Sequence, residues 1–367
     1  MTAVFVPEVL DAHREDLAAT VRTLVERQSP PERLRAAIAS PDGFDRDLWA
    51  VMAEQVGLAG LLVAEGYGGA GGDLLDVVVV QRELGRGPVP SPYLSSAVFA
   101  ATLLREIGDA AACDRFLPGI AAGTTIAAVA AADWDVAPGP VAATPAGAGW
   151  RLTGERSPVP DAMAADLLLV PVAGPDGLSV FAVDPADPSV TRTPLEVLDL
   201  TRRQARVAFA GTPATLVGPP GGAGPAYAAS RRATVVALVA EQVGGGEALM
   251  GMSLAYARTR HQFGRPIGGF QAVKHKLAEM ALDVERMASV LVPLATEPAD
   301  DTLLHLAKAY CGEAYFRLAA ENIQIHGGIG FTWEHASHLY FRRAKSTEFL
   351  FGSPEFHRGQ LLRHLGV

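Results

Sequence analysis

Arg260, Gln262 and Phe263, with Gly264, Gly268 and Gly269 just behind them, lie in the run YARTRHQFGRPIGGFQ (256–271), a polar break in an otherwise helical stretch. Arginine and glutamine side chains donate hydrogen bonds, and phenylalanine offers an aromatic face. Glycine lets another chain or a planar ligand approach the backbone. The chemistry this suggests is the holding of a large, flat ligand. A second group, QIHGGIGF (324–331), ends a helical pattern in glycines that expose backbone N–H groups. With the Gln324 amide these could bind a pyrophosphate oxygen, and a plain helix C-cap accounts for the glycines equally well. It is not a dinucleotide fingerprint, because no strand precedes it in a βαβ unit.

Other reactive residue types point to less. Cys113 and Cys311 are far apart and form no metal-ligand pattern, so they read as free, buried thiols. His335 and His338 form an HxxH without a carboxylate or third ligand, which favours a structural role; no metal is expected. Glu65 and Asp73 read as parts of a structural loop, and His261 and His275 as interface or surface residues. Arg231 and Arg232 could cap a helix, meet a phosphate or face solvent.

Three regions of differing texture position these residues. From about Glu8 to Ala122, segments such as DLAATVRTLVERQ, DRDLWAVMAEQVGLAGLLV and DLLDVVVVQRELGRG carry apolar residues at helical spacing. From about Thr124 to Gly218 come short β-rich pieces, TTIAAVAAA, WRLTGE, DLLLVPVA, LSVFAVD, ARVAFAG and TLVG, separated by turn residues, which predict a compact β-barrel or sandwich. Long helices return over Ser230–Arg258, Val273–Leu294, Ala299–Ile325 and a last one ending near Leu362, as in a four-helix bundle. The predicted class is α+β, with a helical domain over 1–122, a β-barrel over 123–220 and a four-helix bundle over 221–367.

At 367 residues the chain exceeds the ~250–300 at which a single core stops growing, and 49% hydrophobic residues supply ample core material. A net charge of −9 and a pI near 5.5 argue against nucleic acid or an anionic membrane as partner. No apolar run reaches the ~18–20 residues of a bilayer span, and the N-terminus lacks signal-peptide features, so a cytoplasmic protein is expected.

The block 256–280, the QIHGGIGFT segment with the following HLYFRRAK, and WAVMAEQVGLAGLLVAEGYGGAGGDLLDVVVVQRELGRGPVPSP together resemble the acyl-CoA dehydrogenases, in the right order and at the right spacing. The resemblance implies FAD between barrel and bundle, its ADP half reaching a neighbouring subunit. On it, Arg260, Gln262 and Phe263 meet the pyrophosphate and adenosine part, Ile267 and Gln271 line the same groove, and Gln324, Gly327, Gly328 and Ser353 complete the flavin set. Arginine suits a diphosphate because it offers fixed donors and positive charge together.

The family removes an α-proton from an acyl-CoA thioester with a carboxylate while hydride passes from the β-carbon to the flavin. The base usually stands before a Gly-Thr, twenty-three residues after the second glycine of the GG pair; here that position is Phe351. A minority of members place it twenty-six residues before the Arg of the RxxFG loop; here that is Thr234. Neither side chain is a base, and Glu241 and Glu348 are the nearest substitutes on similar helical faces. In the middle region the usual Thr-Glu and Trp-x-Thr flavin-ring motifs are also replaced, with Thr153 and Trp150 as approximate remnants. A retained cradle with a missing base resembles one branch, the actinobacterial α2β2 enzymes of sterol and bile-acid side-chain β-oxidation, in which one subunit supplies the catalytic Glu and its partner does not. The implied partners are an acyl-CoA, a paralogous dehydrogenase subunit and an electron-transfer flavoprotein. The alternatives are a self-sufficient homotetramer whose base is Glu241 or Glu348, and a flavin- or CoA-binding protein that performs no dehydrogenation.

Overall fold

The computed structural model describes residues 11–131, 133–135, 139–147, 149–297 and 301–366. The expected helical starts at Glu8 and Ala299, and part of the AAVAAADWDVAPGP segment, lie outside them. The N-terminal elements are α1 (Ala12–Gln28), α2 (Pro31–Ala39), α3 (Arg46–Ala50), α4 (Leu74–Gly85), α5 (Ala101–Ile107) and α6 (Ala110–Ala121). Asp11, Asp45 and Asp109 each accept a backbone N–H at the head of α1, α3 and α6, which explains why those helices begin where they do. α3 runs on as a π-helical turn over Val51–Gln55, and a second π-helical turn, Tyr93–Ala100, leads into α5.

The middle region holds β1 (Ala127–Val129), β2 (Val141–Ala146), β3 (Gly149–Pro160), β4 (Leu167–Gly174), β5 (Gly177–Val183), β6 (Val190–Pro194) and β7 (Gln204–Val217). They form one mixed sheet in the order β1-β4-β5-β7-β3-β2, with β6 also on β7; only the β1–β4 pair is parallel. The path is open, so the expected barrel is corrected to an unclosed mixed sheet. What joins its two halves is β7, whose first part pairs with β3 and whose last residues, Thr215–Val217, pair with β5. Between them Gly211, at φ 71, is skipped, since Leu152 pairs with Thr212 and Thr153 with Ala210. The bulge reverses which residues face inward: Ala205, Val207 and Phe209 are buried before it, Thr212 and Ala214 after it. Leu152, Val159, Val170, Phe181 and Val207 meet in one hydrophobic cluster drawn from both halves.

The C-terminal elements are α7 (Gly224–Thr259), the strand pair β8 (His261–Gln262) and β9 (Arg265–Pro266), α8 (Gln271–Ser289), α9 (Leu291–Thr296), α10 (Asp301–His326), α11 (Ser337–Phe349) and α12 (Pro354–His364). The chain divides into two compact units, one of Met1–Glu32, Val78–Val89 and Val235–Val367, the other of Arg33–Val77 and Pro90–Thr234. In the first, α10 is central and packs on α8, α11 and α12. The stretches of α4 and α7 in this unit touch backbone to backbone. A Cβ on Gly244 would lie 1.8 Å from the Arg82 carbonyl oxygen, and one on Gly85 would lie 2.3 Å from that of Glu241. Charged side chains close the same crossing, where Glu247 binds both Arg82 and Arg86, and Glu83 receives Arg22 at 2.7 Å. No described helix is long and apolar enough to cross a membrane.

Candidate functional site

The loop after α7 is a hairpin. β8 and β9 pair His261 with Pro266 and Gln262 with Arg265, and the two residues between them, Phe263 (φ 51) and Gly264 (φ 77), are both left-handed. Two positive φ values in a two-residue connection make the tight turn that matches strand twist, which glycine enters freely and phenylalanine only under strain. The turn holds the Phe263 ring 91% exposed. Backbone bonds from Arg260 N to Tyr256 O and from Ile267 N to Arg260 O, both 2.8 Å, fix the hairpin to the end of α7. Gly268 lets it lie flat, because a Cβ there would come within 3.0 Å of the Ala257 carbonyl.

Tyr256 also brings the second motif alongside, since its ring stacks on His326 with centroids 4.4 Å apart. Gln324, Gly327 and Gly328 are exposed where α10 ends, and Gly327 takes a left-handed φ of 63. Around them Ile329, Phe331 and Trp333 are exposed apolar groups. Of the predicted set, Arg260, Gln262 and Gln271 are exposed, Ile267 and Ser353 partly so. The Gln262 amide donates to its neighbour's His261 carbonyl and Gln271 meets His275 at 3.2 Å. Ser353 caps α12 by accepting from Phe356 N. An exposed guanidinium, a bare aromatic face and a glycine turn with outward backbone fit a diphosphate joined to a planar base, so the donor set suits FAD.

The positions where a base would be sought differ sharply. Phe351 is buried, in a left-handed conformation at φ 59, and followed by Gly352 at φ 109. Thr234 is buried in its own unit and donates to the Ser230 carbonyl at 2.7 Å. Glu241 is buried in a bidentate pair with Arg343, at 2.8 and 3.0 Å, and its second oxygen also accepts from Gln81 at 2.7 Å. Three donors thus occupy the two oxygens of this carboxylate. Glu348 is buried and pairs with the partly exposed Lys345 at 2.8 Å.

The sequence reading missed the residues that hold the Phe351 turn. Lys308 is fully buried on α10 and directs Nζ at the carbonyls of Thr347 (3.1 Å), Glu348 (2.9 Å) and Gly352 (3.3 Å). Burial pulls its ammonium down to about 7, with Glu348 acting against that. His357 places Nε2 3.0 Å from the Phe351 carbonyl and Nδ1 2.8 Å from Nδ1 of His305. A lysine and a histidine at apolar helix positions were the only sequence signals.

The remaining candidates are structural. Asp73 accepts the N–H groups of Leu75 and Asp76 at the head of α4. Arg231 lies 3.9 Å over the Trp134 ring and donates to that residue's carbonyl. Trp150 packs on Phe181 at 5.3 Å and, with Arg115, Arg151 and Asp166, lines a hollow of about 490 Å³. Thr153 is exposed on β3. His335 bonds the Ser337 hydroxyl at 2.8 Å, and the His338 ring meets Trp333. Cys113 and Cys311 are buried and unbridged, and burial pushes the Cys311 thiol up to about 12. No cluster fit to hold a metal occurs among the described residues.

Comparison with known proteins gives matches over both ends. Residues 11–124 match the family described as "Acyl-CoA dehydrogenase, N-terminal domain" and 231–366 that described as "Acyl-CoA dehydrogenase, C-terminal domain". The acyl-CoA dehydrogenase IpdE2 of Mycolicibacterium smegmatis is 33% identical over 354 residues, spanning 96% of this chain and 98% of that protein. FadE27 of Mycobacterium tuberculosis is 34% identical over 361 residues, 95% of each. Among solved structures, the ChsE4-ChsE5 complex from Mycobacterium tuberculosis superposes with a TM-score of 0.88 at 32% identity over 98% of each chain. A Tcur3481-Tcur3483 steroid ACAD variant does so at 0.87 and 30%, covering 96% of this chain and 98% of that one.

Proposed function

The chain belongs to the acyl-CoA dehydrogenase family of FAD-dependent oxidoreductases, and from that premise we propose that it is the subunit of an α2β2 complex that contributes flavin-cradle residues but no carboxylate base. The observation that carries this is Phe351, buried in a left-handed turn at the position where the family's usual base is expected. A phenyl ring takes no proton, so α-proton removal falls to a carboxylate on a paralogous partner. Glu241 supports the same division of labour, because Arg343 and Gln81 occupy it fully.

In this reading FAD, when bound, takes up the hydride that leaves the β-carbon. Arg260 neutralises the diphosphate, Phe263 covers the adenosine part, Gln262, Ile267 and Gln271 line the groove, and Gln324, Gly327, Gly328 and Ser353 offer polar groups beside it. We assign the acyl-CoA to a bulky, steroid-related class, supported by the likeness to IpdE2 and to a steroid ACAD. A heteromeric partner is supported by the likeness to one chain of the ChsE4-ChsE5 complex. Electrons leave to an electron-transfer flavoprotein, as the family implies, in the cytoplasm. The three-part division at 122 and 220 belongs to the same reading.

The test is co-expression with a genome-neighbour dehydrogenase that carries Glu-Gly-Thr, followed by measurement of subunit stoichiometry, flavin content and alkene formation from short, branched and steroid-derived acyl-CoAs. A stable homotetramer of this chain alone, with one FAD per subunit and turnover of an acyl-CoA, would overturn the proposal.

A further inference from the structure

Arg156 on β3 is a cation with no carboxylate in contact. Its register partner on β7 is Val207, a member of the hydrophobic cluster, so the side chain leaves from the inner face of the sheet. It is only partly exposed. One terminal NH2 group donates to the Pro171 carbonyl at 3.1 Å, and the buried Nε–H meets no acceptor. No carboxylate among the described residues lies within ion-pair distance of the guanidinium. Burial pulls its pKa below the ordinary arginine value, against the pull of the nearby Tyr227 phenol and Asp133.

The neighbours supply donors and apolar surface. Tyr227 is buried, with its ring 6.0 Å from that of Phe99. Its hydroxyl reaches one acceptor, the Asp133 backbone carbonyl, at 3.5 Å, the outer limit of a hydrogen bond. Burial raises the phenol's pKa, so the hydroxyl keeps its proton and stays a donor. Arg231 is engaged elsewhere, over the Trp134 ring and 3.4 Å from the exposed Asp135. Donors around Arg156 therefore outnumber acceptors. A charge taken partly out of water is normally paired, and the partner absent here must bring acceptor oxygens and a negative charge.

We propose that Arg156 is an anion subsite that receives a carboxylate carried at the end of an apolar group, with Tyr227 as a neighbouring donor. A guanidinium matches a carboxylate because its N–H groups lie in one plane and can donate to both oxygens at once. The surroundings decide between carboxylate and phosphate. Val207, Phe99 and Tyr227 suit an apolar body that ends in a small anion. A phosphate is more strongly hydrated and suits an open guanidinium such as Arg260.

For an acyl-CoA, the subsite selects an acyl group that bears a second carboxyl far from the thioester. That consequence rests on the functional proposal above; the subsite itself does not. Thermal unfolding of the purified full chain without ligand gives the first test. Arg156→Met keeps the apolar stem, removes a charge that no carboxylate contacts and gives up one hydrogen bond. It should melt within about 3 °C of the wild type or above it. A larger fall, or failure to fold, would mean that the fold already satisfies the cation and would overturn the proposal.

Isothermal titration gives the second, with mono-CoA esters of dicarboxylic acids of graded length, methyl-ended esters of the same lengths, and CoA itself. The best-fitting dicarboxylic ester should bind the wild type about 10–100-fold more tightly than its methyl-ended counterpart, the worth of a charge-assisted hydrogen bond. Arg156→Met should lose that preference, and Arg156→Lys, which keeps the charge, should retain part of it. CoA should bind all three proteins equally. Absence of a preference in the wild type, or its survival in Arg156→Met, would overturn the proposal. So would weaker CoA binding by Arg156→Met, which would assign the guanidinium to a phosphate. If no ester of either kind binds, the acyl-CoA reading fails, and free fatty acids titrated against alcohols of the same length decide the subsite. The acids should then bind more tightly, and only where Arg156 is intact; equal binding would sink the subsite as well.

Discussion

Glu241→Gln separates a structural carboxylate from a catalytic one. In the wild type the side chain is 2% exposed and receives two N–H groups of Arg343, itself 6% exposed, together with the Gln81 amide. Two unit charges about 3 Å apart attract by roughly 6 kcal/mol at an effective dielectric near 20, most of which offsets the cost of taking both out of water. Glutamine keeps the shape and one acceptor oxygen but removes the carboxylate charge facing Arg343, and breaking a buried pair from one side typically costs about 3–5 kcal/mol. For a chain of this size that corresponds to a fall in melting temperature of about 4–7 °C. The assay is thermal unfolding of the variant, paired with turnover per mole of folded protein in the complex with its partner subunit. Stability should drop and specific turnover persist. Glu348→Gln is the milder comparison, since its partner Lys345 is 37% exposed and keeps access to water when the pair is lost. Should Glu241→Gln melt within about 2 °C of the wild type while turnover disappears, the carboxylate is a base after all and the ion-pair reasoning is wrong.

Arg260→Ala should weaken FAD binding about 10–100-fold, the worth of a charge-assisted hydrogen bond, with the melting temperature of the apoprotein unchanged, as flavin fluorescence titration would show. Lys308, pulled down to about 7 in the fold against about 10.4 in the unfolded chain, binds fewer protons folded than unfolded between those values; stability should therefore rise with pH across that window and be lowest below it. Thermal unfolding at a series of pH values checks this, and Lys308→Met should flatten the rise. Gly244→Ala drives a methyl into the Arg82 backbone and should destabilise by several kcal/mol, about 3 or more, measurable by urea unfolding; a near-neutral result would mean that α4 and α7 are not in backbone contact.

The long helices were legible because their apolar spacing is sustained and their ends are punctuated. The span predicted from Ser230 to Arg258 is observed as Gly224–Thr259, and the helix predicted to end at Ile325 ends at His326. The helix predicted over Val273–Leu294 instead stops at Ser289 and restarts at Leu291, with Pro293 in the first turn of the new helix, where its missing N–H costs nothing. Two strands escaped notice, VAATPA and VTRTP, because proline and small residues do not read as strand in isolation; pairing to β3 and β7 makes them so. Conversely ARVAFAG and TLVG look like two strands but form one, since the Gly211 bulge shifts the alternation by a residue without ending the ladder. Closure of a sheet depends on long-range pairing that no local pattern encodes, which is why a barrel was expected where the sheet is open. The cradle was legible because exposed polar and aromatic residues in a glycine-rich break have few structural reasons to be there. The clamp of Lys308 and His357 was not, because burial of a polar side chain is decided by neighbours distant in sequence.

Because the sheet is open, its outer strands present unpaired backbone, and other extended chains could extend the ladder there. Among the described residues the free borders are blunted by shortness or by proline. β1 is three residues long, β2 carries Pro145 and β6 ends in Pro194, and proline supplies no N–H to a newcomer. The same imino acids that hid these strands from the sequence pattern thus act as gatekeepers against strand-by-strand aggregation. Replacing Pro145 with a β-branched residue would lengthen the sticky border of β2, so the composition of the weakest-looking strands is what keeps crowded copies of this chain from coalescing through their sheets.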